Sequence, residues 1–314
     1  MRTRAELVGA LQQARAEYCL IETAAGGWAL VVPALGARVL GAGLWENNAF
    51  WVSPSLEGCL EGRDWNAGGQ RTWLAPELGP LGFFGTGESD WAVPPQLDPG
   101  AYRLVEADDR TARCRTACLL NSNDGMIYRL EIERRVEVLD SAGARPGTGT
   151  VQLRLRHSLR NTGDRPIPAR VGLWGIVQIP SSPEGSLLLP DAPLRPYFGE
   201  LPPSWVRREA GRLVLRTAPA RRYKVGQHPM GTEAVIAHHR PEAGLLVRMC
   251  CPSSPAGPYL DGPPSEAPGD ALQAYNSPLT GDEAFCELEC HAPAPHLEPG
   301  AESGAELEIE ILRA

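Results

Sequence analysis

The chain holds a single lysine, Lys224, among its 30 basic residues, and its 38 acidic residues leave a formal net charge of -8. No positive field is available to hold a phosphate backbone or an anionic lipid surface, so nucleic acid and membrane are excluded as expected partners. Long apolar runs are missing as well: no segment approaches the ~20 residues of a membrane-spanning helix. The start, Met1-Arg2-Thr3-Arg4-Ala5-Glu6, leads into no apolar core of the signal-peptide kind. A soluble, cytoplasmic protein is the expectation. Eight cysteines lie at 19, 59, 114, 118, 250, 251, 286 and 290. None forms a Cys-x-x-Cys pair, which removes the zinc ribbon and the dithiol redox site, and they read as small buried apolar residues. There is no Gly-x-Ser-x-Gly elbow, no glycine-rich phosphate loop ending in Lys-Ser or Lys-Thr, and no dinucleotide fingerprint between a strand and a helix. No cofactor is expected.

What the chain has in quantity is punctuation. Its 34 glycines and 30 prolines, about a fifth of the residues, are spread throughout, as suits many short strands joined by turns. Helical spacing occurs only near the start, where Leu7, Leu11 and Ala14 recur between Arg4 and Glu17. Residues 1–17 are thus expected to form a short N-terminal helical segment and 18–314 a single all-β domain. Strands are predicted over 28–33, 36–44, 102–107, 111–120, 126–139, 150–160, 169–179, 212–217, 233–239, 244–251, 284–292 and 305–313. In the sixth of these, Val151, Leu153, Leu155, His157 and Leu159 alternate with Gln152, Arg154, Arg156, Ser158 and Arg160, the pattern of a half-buried antiparallel sheet. About a dozen such strands make a sandwich. His157 falls on the apolar face as a core histidine. Residues 53–100, 180–205 and 252–283 read as irregular, ordered by tryptophans such as Trp65, Trp73 and Trp91. Residues 140–149 read as a mobile hairpin loop.

Two segments carry chemistry. In 284–292, Cys286, Leu288, Cys290 and Ala292 would face one way and Glu287, Glu289 and His291 the other. Carboxylates in one row raise one another's pKa, and a partly desolvated glutamate near neutrality suits general acid/base work. The bland alternative is a solvated polar face, as in Glu306, Glu308 and Glu310 of the C-terminal strand. No metal is expected, because Glu287, Glu289 and His291 would need a fourth ligand and no His-x-x-x-His spacing supplies one. In 65–77, Gly68-Gly69 permits a tight backbone path, followed by Arg71 and Glu77 among Trp65 and Trp73. Indole faces and directional hydrogen bonds suit a sugar; an Arg–Glu pair bracing a loop is the structural alternative. Tyr275 and Asn276 could line the same cleft, and Lys224 or His228 could donate a proton.

The segment Gly68-Gly69-Gln70-Arg71-Thr72-Trp73-Leu74-Ala75-Pro76-Glu77, the Glu287-Leu288-Glu289 triplet, the hairpin Pro33–Leu40 and the turn Leu297-Glu298-Pro299-Gly300-Ala301-Glu302 resemble the galactose-mutarotase-like superfamily of aldose epimerases and their relatives, over roughly residues 18–314. The resemblance implies a large antiparallel β-supersandwich whose concave sheet binds a small-molecule carbohydrate. It further implies a glutamate base that takes the proton of the anomeric hydroxyl, and a histidine acid that protonates the ring oxygen. By this likeness Glu289 is the base, with Glu287 beside it to tune its pKa; Arg71, Trp73, Glu77, Lys224, Tyr275, Asn276 and His291 are the candidate sugar-binding residues. The acid histidine of the epimerases lies on a middle strand, and the corresponding stretch here, 171–178, has none. The acid therefore falls to His228, Lys224, Tyr275 or Arg71, or is missing. An aldose 1-epimerase-like isomerase and a non-catalytic sugar-binding or sensing protein are both carried forward. A homodimer is one expectation for the assembly.

Overall fold

The computed structural model describes residues 2–139, 149–263 and 268–313. The loop expected at 140–149 lies, apart from Gly149, outside the described residues. Two ten-stranded antiparallel sheets pack face to face. The first runs, in spatial order, Cys19–Glu22, Gly27–Val32, Arg38–Leu44, Gln70–Ala75, Gly172–Pro180, Phe285–His291, Leu272–Asn276, Tyr223–Gln227 and Arg195–Gly199, with Asn47–Asn48 paired to Arg38–Leu44. The second runs Val206–Glu209, Arg212–Arg216, Ser186–Pro190, Glu233–Arg240, Leu245–Pro252, Glu302–Arg313, Thr150–Asn161, Ile127–Leu139, Thr111–Asn121 and Arg103–Ala107.

The second sheet shows the two-residue period that its sequence predicts. Along Thr150–Asn161, Val151, Leu153, Leu155, His157 and Leu159 are buried between the sheets, and the residues between them are half-buried or exposed. His157 sits as a core histidine against the Thr72 hydroxyl, with ring nitrogens 3.2 and 3.3 Å from it, and burial holds its pKa well below the usual value.

The first sheet behaves differently, because its outer face is covered too. Gly27–Val32, Arg38–Leu44, Gln70–Ala75, Gly172–Pro180 and Phe285–His291 are buried at every position. At one end the cover is the helix Arg4–Gln13, entered through a capping box in which Thr3 and Glu6 each accept from the other's backbone N–H. Its Leu7 and Leu11 pack with Trp28, Leu30, Leu40 and Leu56, the last from a second short helix, Leu56–Leu60. At the other end the cover is loop. The strand Gln70–Ala75 is reached through Gly68 and Gly69, both at positive φ, where a Cβ would run into the carbonyls of Trp51 and Val39.

Candidate active site

Cross-strand register places the chemistry on the outer face of the first sheet. Directly opposed residues share a face, so Arg71, Ile176, Glu289, Gln273 and Gly226 form one row across five strands. Gln178, Glu287, Tyr275, Lys224 and Phe198 form the next, and Trp73, Trp174 and His291 a third. Thr72, lying between Arg71 and Trp73, points the other way, to His157 in the interior.

At the centre, Glu289 is fully buried. Its Oε2 accepts from Trp174 Nε1 at 2.9 Å and from Lys224 Nζ at 3.1 Å. Burial pushes the Glu289 carboxyl up to about 7, with Lys224 pulling against it and the charge of Glu287 adding to it. Lys224 lies 4.8 Å from the centroid of the Trp174 ring and 3.9 Å from Glu77 Oε2. Burial alone would lower its pKa, but the carboxylates of Glu289, Glu77 and Glu287 outweigh it and hold the ammonium charged. Glu287 Oε1 accepts from Arg71 Nη2 and from Gln178 Nε2, both at 2.9 Å. The Arg71 guanidinium stacks over Trp73 at 4.1 Å and near Trp65 at 5.4 Å. Trp73 is itself fixed by its Nε1–H, which donates to Asp98 Oδ2 at 2.8 Å.

Loops close over this floor. Glu77 Oε1 accepts from Trp91 Nε1 at 2.9 Å, and the Glu77 amide donates to Asp261 Oδ1 at 2.9 Å, which ties the segment after Gln70–Ala75 to the segment after Leu245–Pro252. His291 stacks on Trp174 with ring centroids 5.1 Å apart, and burial, aided by Lys224, keeps it far below its usual pKa. Gln273 Nε2 donates to the Tyr197 hydroxyl at 2.9 Å. Only glycine fits at 226, since a Cβ there would strike Tyr197 and Asp270.

The fold thus brings Glu287, Glu289, His291, Arg71, Trp73, Glu77, Lys224 and Tyr275 to one face. Two residues stand apart from it. Asn276 faces inward, opposite Cys286, and its Nδ2 donates to the carbonyls of Ala218 and Arg221 at 2.7 and 2.6 Å; strand alternation separates it from Tyr275. His228 follows the end of its strand, and its ring nitrogens lie 3.1 Å from the carbonyls of Gly269 and Pro255. Trp174, Gln178, Tyr197, Gln273 and Asp261 are the residues that sequence reasoning left out. Strand alternation could have found the first two, which share a face of a strand already predicted; nothing periodic marks Asp261.

Arg71 Nε and Nη1, Gln178 Oε1, Gln273 Oε1, Asp261 Oδ2, Glu289 Oε1 and both ring nitrogens of His291 are buried with no hydrogen-bond partner within the protein. Each such group costs about 1–3 kcal/mol if left unsatisfied. Among the described residues no group of His, Cys, Asp and Glu is arranged to hold a metal ion. A cavity of about 110 Å3 lies on the reverse of the same strands, between the sheets, lined by Thr72, Gly175, Cys290 and Leu307 among others.

Residues 8–305 match the family described as a family of unknown function, DUF6786. The chain belongs to this family. No curated protein matches it. Solved structures similar to this DUF6786 member include a galactose mutarotase-like protein from Lactobacillus casei ATCC 334, at 13% identity and a TM-score of 0.58, covering 94% of this chain and 100% of the other. Another is the Slr1438 protein from Synechocystis sp. PCC 6803, at 13% identity and a TM-score of 0.60, covering 96% and 97%. A galactose mutarotase related enzyme from Lactobacillus acidophilus follows, at 10% identity and a TM-score of 0.57, covering 93% and 96%. The DUF6786 chain therefore has the galactose-mutarotase-like β-supersandwich fold. No helix among its described residues is long and apolar enough to cross a membrane.

Proposed function

We propose that the outer face of the first sheet binds a free sugar and exchanges its anomers, as an aldose 1-epimerase does, with Glu289 as general base. The observation that carries this reading is the buried Glu289 carboxylate: one oxygen is held by Lys224 and Trp174, the other has no partner, and its pKa is near 7. A carboxylate poised near the working pH accepts a proton most effectively. Glu287 keeps Arg71 in place and adds its charge to the raised pKa of Glu289. Trp65 and Trp91, both partly exposed, offer ring faces to the C–H faces of a pyranose, Trp73 backs the Arg71 guanidinium, and Arg71, Glu77, Tyr275 and His291 offer polar groups to its hydroxyls.

A panel of neutral and phosphorylated aldoses screened by thermal shift, followed by NMR measurement of anomer exchange, tests the reading. Glu289→Gln is expected to slow exchange by about 100- to 10,000-fold while sugar affinity stays within about tenfold. Exchange at the wild-type rate in that variant removes Glu289 from the mechanism. The middle strand Gly172–Pro180 presents Trp174 and Gln178 to the site and has no histidine in the stretch where the family resemblance implies one, and this favours a second reading, a sugar-binding protein without catalysis. A sugar that raises Tm with no acceleration of exchange by the wild type selects it.

A further inference from the structure

Opening a hemiacetal ring takes one proton from the anomeric hydroxyl and gives one to the ring oxygen. Glu289 serves the first transfer, and most neighbours are unsuited to the second. A guanidinium such as that of Arg71 does not release a proton in proteins. Lys224 is held charged between Glu289 and Glu77. Burial pushes the Tyr275 hydroxyl up to about 12 and keeps the His291 imidazole neutral. His228 turns both ring nitrogens to backbone carbonyls.

Asp261 is held otherwise. Its carbonyl accepts from the Tyr197 hydroxyl at 2.8 Å, the Asp270 amide at 2.8 Å and Gln273 Nε2 at 3.3 Å, and its Oδ1 accepts from the Glu77 amide at 2.9 Å. These bonds fix the residue over the sheet and leave Oδ2 buried without a hydrogen-bond partner, 3.8 Å from His291 Nδ1. We infer that Asp261 is the proton donor to the sugar ring oxygen, taking the place of the missing histidine. The inference rests on the anomer-exchange reading. Burial and the Glu77 carboxylate raise the Asp261 pKa to about 7 against the Glu77 amide and Lys224, so the group carries a transferable proton near neutrality.

In the opening step Glu289 removes the anomeric hydroxyl proton, the freed pair forms the C1 carbonyl, the bond from C1 to the ring oxygen breaks, and that oxygen takes the Asp261 proton. After rotation about C1–C2, closure returns the ring-oxygen proton to the Asp261 carboxylate while Glu289 reprotonates the carbonyl oxygen. Nothing is consumed.

The test measures anomer exchange by NMR on the full-length protein and on Asp261→Asn and Asp261→Ala, using each sugar of the panel. Asp261→Asn is expected to slow exchange by roughly 100-fold or more and to retain the sugar-induced rise in Tm. The charged and titratable groups facing Asp261 are Glu77, Lys224, His291 and the Tyr197 hydroxyl. The wild-type rate should fall above neutrality as Asp261 loses its proton, and that alkaline limb should vanish in Asp261→Asn. Added formate should restore Asp261→Ala by about tenfold, as replacement of a missing acid would. Exchange at the wild-type rate in Asp261→Asn, or an alkaline limb that persists there, overturns the assignment while leaving the sugar-isomerase reading standing. A wild type that accelerates exchange of no sugar overturns both.

Discussion

Two rows of acids in this molecule share one sequence pattern and meet opposite fates. Glu287-Leu288-Glu289 and Glu306-Leu307-Glu308-Ile309-Glu310 both alternate glutamate with an aliphatic residue, and in both the aliphatic residues point between the sheets. On the second sheet the acids look outward to solvent and pair with arginines across the strands: Arg156 with Glu306 at 2.7 Å, Arg154 with Glu308 at 2.9 Å, and Arg248 with Glu310 at 2.7 Å. Their side chains are 38%, 29% and 27% exposed. On the first sheet the Glu289 side chain is 0% exposed and that of Glu287 10%. The lesson is that cover, not pattern, makes a buried acid. Loops bearing Glu77, Trp91 and Asp261 remove water from one row and leave the other wet.

Lys224→Met should give the largest difference between the rows. It leaves Glu289 buried with its charge partner removed, and a loss of about 3–5 kcal/mol in urea unfolding is expected, part of it recovered by adding Glu289→Gln. Arg154→Ala on the wet row should cost no more than about 1 kcal/mol. Equal losses in the two variants break the comparison. Arg71→Ala comes next. Its charge-assisted bonds support a loss of roughly 1.5–3 kcal/mol in sugar binding, read by titration calorimetry, and unaltered affinity means that the Gly68–Glu77 segment only braces a loop.

The third contrast is in pH dependence. Glu289 and Asp261 both have folded pKa values raised to about 7, above the 4.5 and 3.8 usual for their types, so the folded chain binds more protons than the unfolded chain between those values. Their contribution to stability is complete below the unfolded values and is lost as pH rises through about 7, at up to ~1.4 kcal/mol per pH unit for each group. Urea unfolding at stepped pH should show this decline and a shallower one in Glu289→Gln. Identical slopes in wild type and variant remove the burial argument for Glu289.

Much of the sandwich was legible because its strands alternate. The segments predicted over 126–139, 150–160, 233–239 and 305–313 occur as Ile127–Leu139, Thr150–Asn161, Glu233–Arg240 and Glu302–Arg313. The strands that build the site were the harder ones. Gln70–Ala75 and Leu272–Asn276 lie in stretches that read as irregular, and Tyr223–Gln227 lies outside every predicted strand. Each is short, flanked by Gly, Pro or basic residues, and covered on both faces, so no polar and apolar sides remain to give a period. Glu287, Glu289 and His291 could be assigned to one face from spacing alone. That the face is dry could not, since the residues that cover it come from distant segments without periodicity.

Alternation along each strand decided by itself which side chains share a face, and the Gly68-Gly69 pair decided where the backbone could make its close approach. Both are local properties, set by a two-residue pleat and by the absence of a Cβ. Only the tertiary structure decided that Arg71, Gln178, Lys224 and Glu289, far apart in the chain, meet in adjoining rows, and that Asp261 is laid over them. Register between strands depends on side chains packing across the whole sheet and on loops closing above it. Those long-range contacts turn a row of glutamates into one buried acid with a pKa near neutrality.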